Sequence, residues 1–176
     1  KEIEKIDGLE RLRISSIEIT ELDDEFMNVL NSSKILVDHM HIPLQAGSNE
    51  ILKLMNRKYD IEYFIEKINN LRKIRPMISI TTDVIVGFPG ETEEEFEETC
   101  RFLEKVGFYE MHVFKYSRRK GTVADRMPNQ ISEDVKTVRS NILLEMDSRL
   151  TEAYRNSYIG RTVKVLLEEN QLIDGK

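Results

Sequence analysis

Residues 78–94 read ISITTDVIVGFPGETEE, and this stretch carries the pattern that decides the fold. Residues 78–86 are rich in β-branched side chains and predict a strand. Residues 87–90 contain two glycines and a proline and predict a turn. Thr92 or Glu93 then predicts the start of a helix. A strand that leads through a short turn into a helix is the repeating unit of α/β proteins.

The same alternation of strands and helices continues on both sides of this stretch. Further strands are predicted at residues 12–19, 39–44 and 109–116. Helices are predicted at residues 21–30, 49–55, 61–74 and 132–157. Four such units cannot close a barrel of eight or even six strands, so the sequence predicts an α/β fold that is part of a parallel barrel or an open sheet. Its edge strand is expected to be exposed unless it pairs with another chain, which makes a dimer possible.

Both ends of the sequence predict a piece of a longer protein. Residues 162–167 alternate like a strand, but they follow a long helix and have no βα partner after them. We predict that residues 1–158 are the barrel part and that residues 159–176 begin a separate, truncated β domain. The first residue, Lys1, is not an initiator methionine, and the residues after it resemble neither a signal peptide nor a transit peptide.

Composition and charge narrow the classes of function. The chain has 176 residues, of which 40% are hydrophobic and 33% charged, as in an ordinary globular protein. No apolar run approaches the roughly 20 residues that span a bilayer, so no membrane association is expected. The net charge of −6 makes the chain a poor general binder of nucleic acid. Any RNA contact is therefore expected to come from local basic patches or from parts outside this chain.

The single cysteine, Cys100, excludes a disulfide framework and any cysteine-based metal or iron–sulfur site made by this chain alone. It shares an apolar helical stripe with Phe96, Leu103 and Val106, which predicts a buried structural thiol rather than a nucleophile. The low cysteine content fits a reducing cytoplasm. The six glutamates within residues 91–98 suit the positive end of a helix dipole better than an acidic active site.

Polar side chains share one face of the predicted strands. In residues 39–44 the histidines His39 and His41 alternate with Met40 and Ile42. Residues 78–86 show the same alternation, with Ser79, Thr81 and Asp83 on one face. Because the apolar faces should meet the helices, the polar faces are predicted to line the lumen, where they favour a polar ligand.

The two histidines allow a metal hypothesis. His-x-His on a barrel strand points both imidazoles the same way, as in metal-dependent hydrolases, and His112 and Asp83 could complete the ligand set. This pattern predicts a metal-dependent hydrolase or lyase that uses His39, His41, His112 and Asp83. The alternative is that the histidines are hydrogen-bonded interior residues without a metal.

Two loops that follow strands offer further contacts. The turn at residues 87–90 can bring backbone N–H groups close to a ligand, although it lacks the lysine and the spacing of a phosphate-binding loop. The predicted loop at residues 117–130 contains Arg118, Arg119 and Lys120 beside Tyr116. Such a cluster suits phosphate contact and base stacking, and the alternative is a solvated loop without a ligand.

Four strings of the sequence belong together: HIPLQAGS at 41–48, MNRKY at 55–59, TDVIVGFPGET at 82–92 and YSRRKGT at 116–122. As a set they resemble one family, the radical S-adenosylmethionine (SAM) tRNA methylthiotransferases. Order and spacing match over most of residues 10–168. The strings HVFKY at 112–116 and MPNQ at 127–130 are most similar to the branch that acts on N6-threonylcarbamoyladenosine. The isopentenyladenosine branch and the ribosomal-protein branch are less similar, and Arg118 stands where many members have proline.

The resemblance implies a fold and a set of site residues. The fold is a six-stranded partial (β/α) barrel that binds SAM, followed by a small RNA-binding β-barrel of the TRAM type that begins near Gly160. The residues implied to bind SAM are Glu18, Gln45, Ser48, Arg57, Asp83, Gly87, Gly90 and Glu91. The residues implied to lie toward the substrate nucleotide are Tyr116, Arg118, Arg119 and Lys120.

The resemblance also implies the activity. The parent enzyme would add a methylthio group to carbon 2 of N6-threonylcarbamoyladenosine in the anticodon loop of a cytoplasmic tRNA. It would use SAM and two 4Fe–4S clusters, and the cysteines of both clusters would precede Lys1. The chain alone is therefore expected to hold no metal and to be inactive. The remaining alternatives are the two sister branches, the metal-dependent hydrolase, and a non-catalytic module that docks RNA.

Overall fold

The structure, a computed structural model, describes residues 2–166. Within this range the strands are β1 (His39–His41), β2 (Ser79–Val86) and β3 (Glu110–Lys115). The helices are α1 (Asp24–Ser32), α2 (Asn49–Leu54), α3 (Ile61–Ile74), α4 (Glu93–Val106), α5 (Val123–Arg126) and α6 (Glu133–Asn156). Two short 3-10 turns cover Ile3–Lys5 and Ile19–Glu21.

The three strands form one parallel sheet in the order β1–β2–β3. One face of β2 presents Ile80, Val84 and Val86 to the hydrophobic core, which also contains Phe64 of α3 and Leu103 of α4. The other face carries Asp83, which lies opposite His112 of β3 in the parallel register. The prediction of an α/β fold with part of a parallel barrel is confirmed, and so is the separation of polar and apolar strand faces.

Helix α4 shows why the local sequence folds as it does. The Thr92 hydroxyl accepts a hydrogen bond from the Glu95 backbone N–H, and the Glu95 carboxylate accepts one from the Thr92 N–H. Phe96 and Leu103 bury one side of the helix. The helix ends at Gly107, whose positive φ of 63° suits glycine. The first turn holds Glu93 to Glu95, so the helix-dipole interpretation of these glutamates fits.

The predicted first strand at residues 12–19 is wrong. Leu12 makes one parallel bridge to Leu36, the Ile17 N–H donates to the His41 carbonyl, and the chain then turns into the 3-10 segment. Strand β1 is also shorter than predicted, because Pro43 has no N–H to donate. The pairing resumes at Gln45, which bridges to Val84.

Helix α6 covers the outer edge of β3. The Asp147 carboxylate accepts a hydrogen bond from the Met111 N–H at 2.6 Å, and the Thr151 hydroxyl donates to the Tyr109 carbonyl at 2.6 Å. Side chains of α6 therefore bind backbone groups at the start of β3, and the expectation of an exposed edge stays a prediction for the rest of this strand. The dimer through an open edge stays a prediction.

The carboxyl-terminal segments also differ from prediction. The predicted loop at residues 117–130 contains the short helix α5. Residues 162–166 form no strand in the described range, and Leu167 lies outside it. The β domain at residues 159–176 stays a prediction. No helix between residues 2 and 166 has both the length and the apolar composition of a membrane span.

Candidate functional site

An open groove of about 850 Å³ lies at the carboxyl ends of the strands. Parallel α/β sheets bind their ligands at this end, where the loops after the strands converge. The volume lies within the usual range for small-molecule sites. The groove is lined by Gln45, Leu54, Met55, Asn56, Arg57, Ile85, Phe88, Phe114, Lys115, Tyr116, Ser117, Arg119, Thr122, Val123, Ala124 and Met127.

The lining combines an apolar surface with a few polar side chains that were predicted from sequence. Of the predicted site residues, the groove brings together Gln45, Arg57, Tyr116 and Arg119. The Arg57 guanidinium also donates to the Glu18 carboxylate at 3.2 Å, which places Glu18 beside the groove. A mainly apolar site with few polar anchors is typical of a cofactor pocket.

The backbone at Gln45 is locked in an unusual conformation. Its φ of 73° lies in the left-handed region, which costs energy for a residue other than glycine. The Gln45 N–H donates to the Asp83 carbonyl, and its own carbonyl accepts from the Ile85 N–H, each at 2.8 Å. The Tyr59 hydroxyl donates to the Leu44 carbonyl at 2.9 Å, and burial raises the pKa of Tyr59 to about 12. The Tyr59 hydroxyl therefore keeps its proton and stays a donor. Hydrogen bonds from β2 and from Tyr59 together hold the turn that contains Gln45.

The turn at Gly87 is held by a buried carboxylate. Glu91 is 3% exposed, and its Oε2 atom accepts hydrogen bonds from the Gly87 N–H at 2.7 Å and from Arg139 at 2.6 Å. Burial raises the pKa of Glu91, and the bonds from Gly87 and Arg139 partly offset this. The Glu91 side chain thus fixes the shape of the turn, and we interpret it as a positioning residue.

Two buried cations on α6 were missed by the sequence analysis. Lys136 donates to the Tyr116 carbonyl at 2.9 Å and to Glu133 at 2.7 Å. Arg139 bonds both the carboxylate and the backbone carbonyl of Glu91. Both side chains are at most 6% exposed, so α6 braces the strand end at Tyr116 and the Gly87 turn together. The feature of the sequence that could have indicated these residues is their three-residue spacing, which places both side chains on one face of the helix.

The predicted basic cluster after β3 separates into different environments. Tyr116 and Arg119 line the groove, and the Tyr116 ring packs edge-on against Phe88 with centroids 5.2 Å apart. Arg118 instead bonds the carboxylate and the carbonyl of Asp125, at 3.0 and 2.8 Å. Lys120 is exposed and does not line the groove. The loop therefore presents one arginine to the groove and uses the other to hold its own shape.

Three of the four predicted metal ligands meet on the polar face of the sheet. Asp83 contacts His41 Nε2 through Oδ2 at 3.3 Å and His112 Nδ1 through Oδ1 at 3.1 Å. The two imidazole rings are stacked with centroids 5.2 Å apart. His39 does not join them, because its ring lies 3.4 Å from the Arg13 guanidinium. Burial, followed by the charge of Arg13, lowers the pKa of His39.

The remaining predicted residues have structural surroundings. Ser48 precedes α2 and is fully buried, and its hydroxyl has no hydrogen-bond partner among residues 2–166. The Gly90 N–H donates to the Asn129 carbonyl at 3.0 Å, so the loop after β3 rests on the Gly87 turn. Cys100 packs against the core, and burial raises the pKa of its thiol to about 11. One such cysteine does not fit an iron–sulfur cluster, which needs several thiolate ligands.

The chain is similar to tRNA-modifying enzymes over most of its length. Threonylcarbamoyladenosine tRNA methylthiotransferase MtaB of Bacillus subtilis is 46% identical over 94% of this chain and 37% of that protein. MtaB of Thermotoga maritima is 43% identical over 96% of this chain and 39% of that protein. A tRNA-2-methylthio-N(6)-dimethylallyladenosine synthase of Acetivibrio thermocellus is 42% identical over 96% of this chain and 35% of that protein. The chain thus spans little more than a third of the length of these relatives.

The fold is similar to that of a solved radical SAM enzyme, coproporphyrinogen III oxidase (HemN) of Escherichia coli. The TM-score is 0.62 at 23% identity, over 81% of this chain and 32% of that chain. At this identity the likeness concerns the fold alone. Residues 1–103, more than half of the chain, match the family model of the Radical SAM superfamily. The predicted resemblance is confirmed, and the chain belongs to the radical SAM superfamily.

Proposed function

We propose that this chain supplies the SAM-binding groove of an enzyme that transfers a methylthio group to an adenosine of tRNA. The observation that carries the proposal is the groove itself. Gln45, Arg57, Tyr116 and Arg119 come from three of the family-like strings of the sequence and line one cavity at the strand ends. The proposed location of the whole enzyme is the cytoplasm.

The polar residues of the groove suit the charged and polar parts of SAM. When bound, SAM supplies a methyl group and a source of radical chemistry. Arg57 would bind the carboxylate of SAM, since a guanidinium is the preferred partner of a carboxylate. Glu18 accepts a hydrogen bond from Arg57 and would orient it, while Gln45 offers an amide to the ribose or methionine part.

The other residues of the proposed SAM site would shape the groove rather than line it. Gly87, Gly90 and Glu91 would form the turn beside the adenine, with Glu91 holding the shape of that turn. Ser48 and Asp83 do not line the groove, and of the two Asp83 would support the turn at Gln45 from below. The Asp83 carbonyl already does so by accepting the Gln45 N–H.

The chain alone is proposed to be inactive. Its residues do not fit an iron–sulfur cluster, so any cluster must be bound by other parts of the enzyme. Anaerobic reconstitution of the 176-residue chain with iron and sulfide should give no product. Formation of methylthiolated nucleoside by this chain alone would contradict that statement.

The proposed substrate nucleotide is N6-threonylcarbamoyladenosine, the substrate named for the relative at 46% identity. Tyr116 offers a ring for base stacking, and Arg119 offers a cation for a phosphate or a carboxylate. A second candidate is isopentenyladenosine, which is also called N(6)-dimethylallyladenosine. The relative named for that nucleoside is 42% identical over 96% of this chain. The two identities are close, so nucleoside analysis has to decide between them.

The SAM-binding proposal is tested with the full-length protein, reconstituted with its clusters. Arg57→Ala should weaken SAM binding about 10-fold to 100-fold, the usual effect of removing a hydrogen-bonded charge. Arg101→Ala is the matched control, because Arg101 is an exposed arginine of α4 that pairs with the exposed Glu97 and lies outside the groove. Equal SAM affinity in both variants would contradict the proposed role of Arg57.

A further inference from the structure

A cluster of potential metal ligands lies on the polar face of the sheet, below the groove. His41 of β1, Asp83 of β2 and His112 of β3 come from three adjacent parallel strands. Their ligand atoms all lie within 4.8 Å of one another. Asp83 precedes Ile85, which lines the groove, by two residues on the same face of β2, so the cluster lies about 7 Å deeper along the strand.

The two distances from Asp83 to the histidines match a shared ion as well as direct hydrogen bonds. Charge-assisted N–H···O bonds are usually about 2.7–2.9 Å long, whereas Asp83 lies 3.3 Å from His41 and 3.1 Å from His112. Two ligands of a tetrahedral ion with bonds of about 2.0–2.1 Å are about 3.3 Å apart. Asp83 also faces each imidazole with a different oxygen atom, which lets one carboxylate face an ion between both rings.

A second hydrogen bond orients His41 as a metal ligand. Its Nδ1 atom lies 2.9 Å from the hydroxyl of Thr81, which is itself buried. An outer partner on one ring nitrogen fixes the ring and leaves the other nitrogen for the ion. His41 Nε2 is the atom that faces Asp83. His112 is about half exposed, so its ring is free to make the small movement that closes the ligand set.

We propose that His41, Asp83 and His112 form a binding site for one divalent transition-metal ion of the Zn²⁺ or Co²⁺ class. Two imidazoles and one carboxylate are a common donor set for such ions. Three protein ligands leave the fourth tetrahedral position for water or for an atom of a bound ligand. The site goes beyond the proposed function, because none of its ligands is a cysteine and it needs no iron–sulfur cluster.

His39 provides an internal control. It lies two residues before His41 on the same strand face, but both of its ring nitrogens lie 3.4 Å from the Arg13 guanidinium. A fixed positive charge at that distance opposes the binding of a second cation. The proposal therefore distinguishes two histidines of one His-x-His motif.

The test is a titration of the purified chain with Co²⁺ alone, followed by the visible absorption of tetrahedral Co²⁺ and by displacement with Zn²⁺. The wild type should bind one ion per chain. His112→Ala and Asp83→Asn should weaken binding about 100-fold or more, since even changes to outer partners of a metal site cost about 10-fold to 100-fold. His39→Ala should bind as the wild type does.

Two results would overturn the proposal: no Co²⁺ binding by the wild type, or equal affinity in wild type and His112→Ala. Circular dichroism checks the fold of each variant. If Asp83→Asn does not fold, His112→Ala decides the outcome, because His112 is half exposed and its loss should disturb the fold less. The titration contains no SAM and no RNA. A failure of metal binding is therefore distinct from a failure of the proposed function.

Discussion

Arginine side chains lie at both ends of the parallel sheet, but they have different partners. At the amino end, Arg72 donates to the carbonyls of Val106 and Gly107, where α4 ends, at 2.6 and 2.9 Å. At the carboxyl end, Arg57 has one partly exposed carboxylate partner and faces the open groove. The amino-end arginine stabilises the fold by satisfying free helix carbonyls. The carboxyl-end arginine is available to a ligand, so residue type alone does not indicate function.

The largest expected effect concerns the turn at the carboxyl end. Gly87→Ala should destabilise the chain by about 3 kcal/mol, because a left-handed residue gains a Cβ and that Cβ collides with Cγ of the buried Lys136. Lys136 cannot move away easily, since its ammonium bonds Tyr116 and Glu133. Urea unfolding followed by circular dichroism measures the loss.

Gly107→Ala is the matched control for this prediction. Gly107 also has a positive φ, of 63°, but a Cβ there has no neighbour within 4 Å among the described residues. Gly107→Ala should therefore lower the free energy of unfolding by only about 1 kcal/mol, the cost of a left-handed backbone conformation for alanine. Equal losses for the two variants would show that Lys136 does not pack tightly against the Gly87 turn.

The next effect sharpens the contrast between the arginines. Arg72→Ala should lower the free energy of unfolding by about 2 kcal/mol, because two carbonyls lose a charged donor. Arg57→Ala should lower it by no more than about 0.5 kcal/mol, since partly exposed ion pairs contribute little. Thermal or urea unfolding of both variants is the measurement. A larger loss for Arg57→Ala than for Arg72→Ala would reverse the comparison.

The smallest expected effect concerns pH. The pKa of His39 in the folded chain is lower than its ordinary value of 6.5, so the folded state takes up a proton less readily than the unfolded state. The stability from neutral His39 is complete above about pH 6.5 and decreases as the pH falls toward the folded pKa. His39→Gln should therefore lose less stability than the wild type between about pH 7.5 and about pH 5.5, by less than about 1 kcal/mol. The free energy of unfolding is measured with urea at several pH values. An identical pH dependence in the wild type and in His39→Gln would contradict the lowered pKa of His39.

Much of the fold could be predicted because its segments have clear periodicity and end signals. Helix α3 was predicted at 61–74 and is found at Ile61–Ile74, since its apolar stripe is regular and Pro76 follows it. The faces of β2 were also predicted correctly, because alternation in a strand depends only on the backbone. The same alternation predicted that His41 and Asp83 share the polar side of the sheet, and His112 was predicted as a further ligand beside them.

The rest depended on contacts between distant residues. Residues 12–19 have a strand-like composition, but a strand also needs paired neighbours, and only single contacts form there. Helix α6 is an exception to the rule that apolar side chains are buried and charged side chains are exposed. Its Lys136 and Arg139 are buried, while Val138 and Ile142 are exposed. The cations can be buried only because Tyr116, Glu133 and Glu91 supply their partners, and sequence periodicity does not report such partners.

The most direct test of the central claim is the nucleoside content of tRNA from cells that lack the protein containing this chain, measured by liquid chromatography and mass spectrometry. We predict that the methylthio form of N6-threonylcarbamoyladenosine disappears and returns when the wild-type gene is restored. Loss of methylthio-isopentenyladenosine instead would assign the second candidate substrate. If every methylthiolated tRNA nucleoside persists unchanged, the proposed function is contradicted, and a ribosomal protein becomes the substrate to examine.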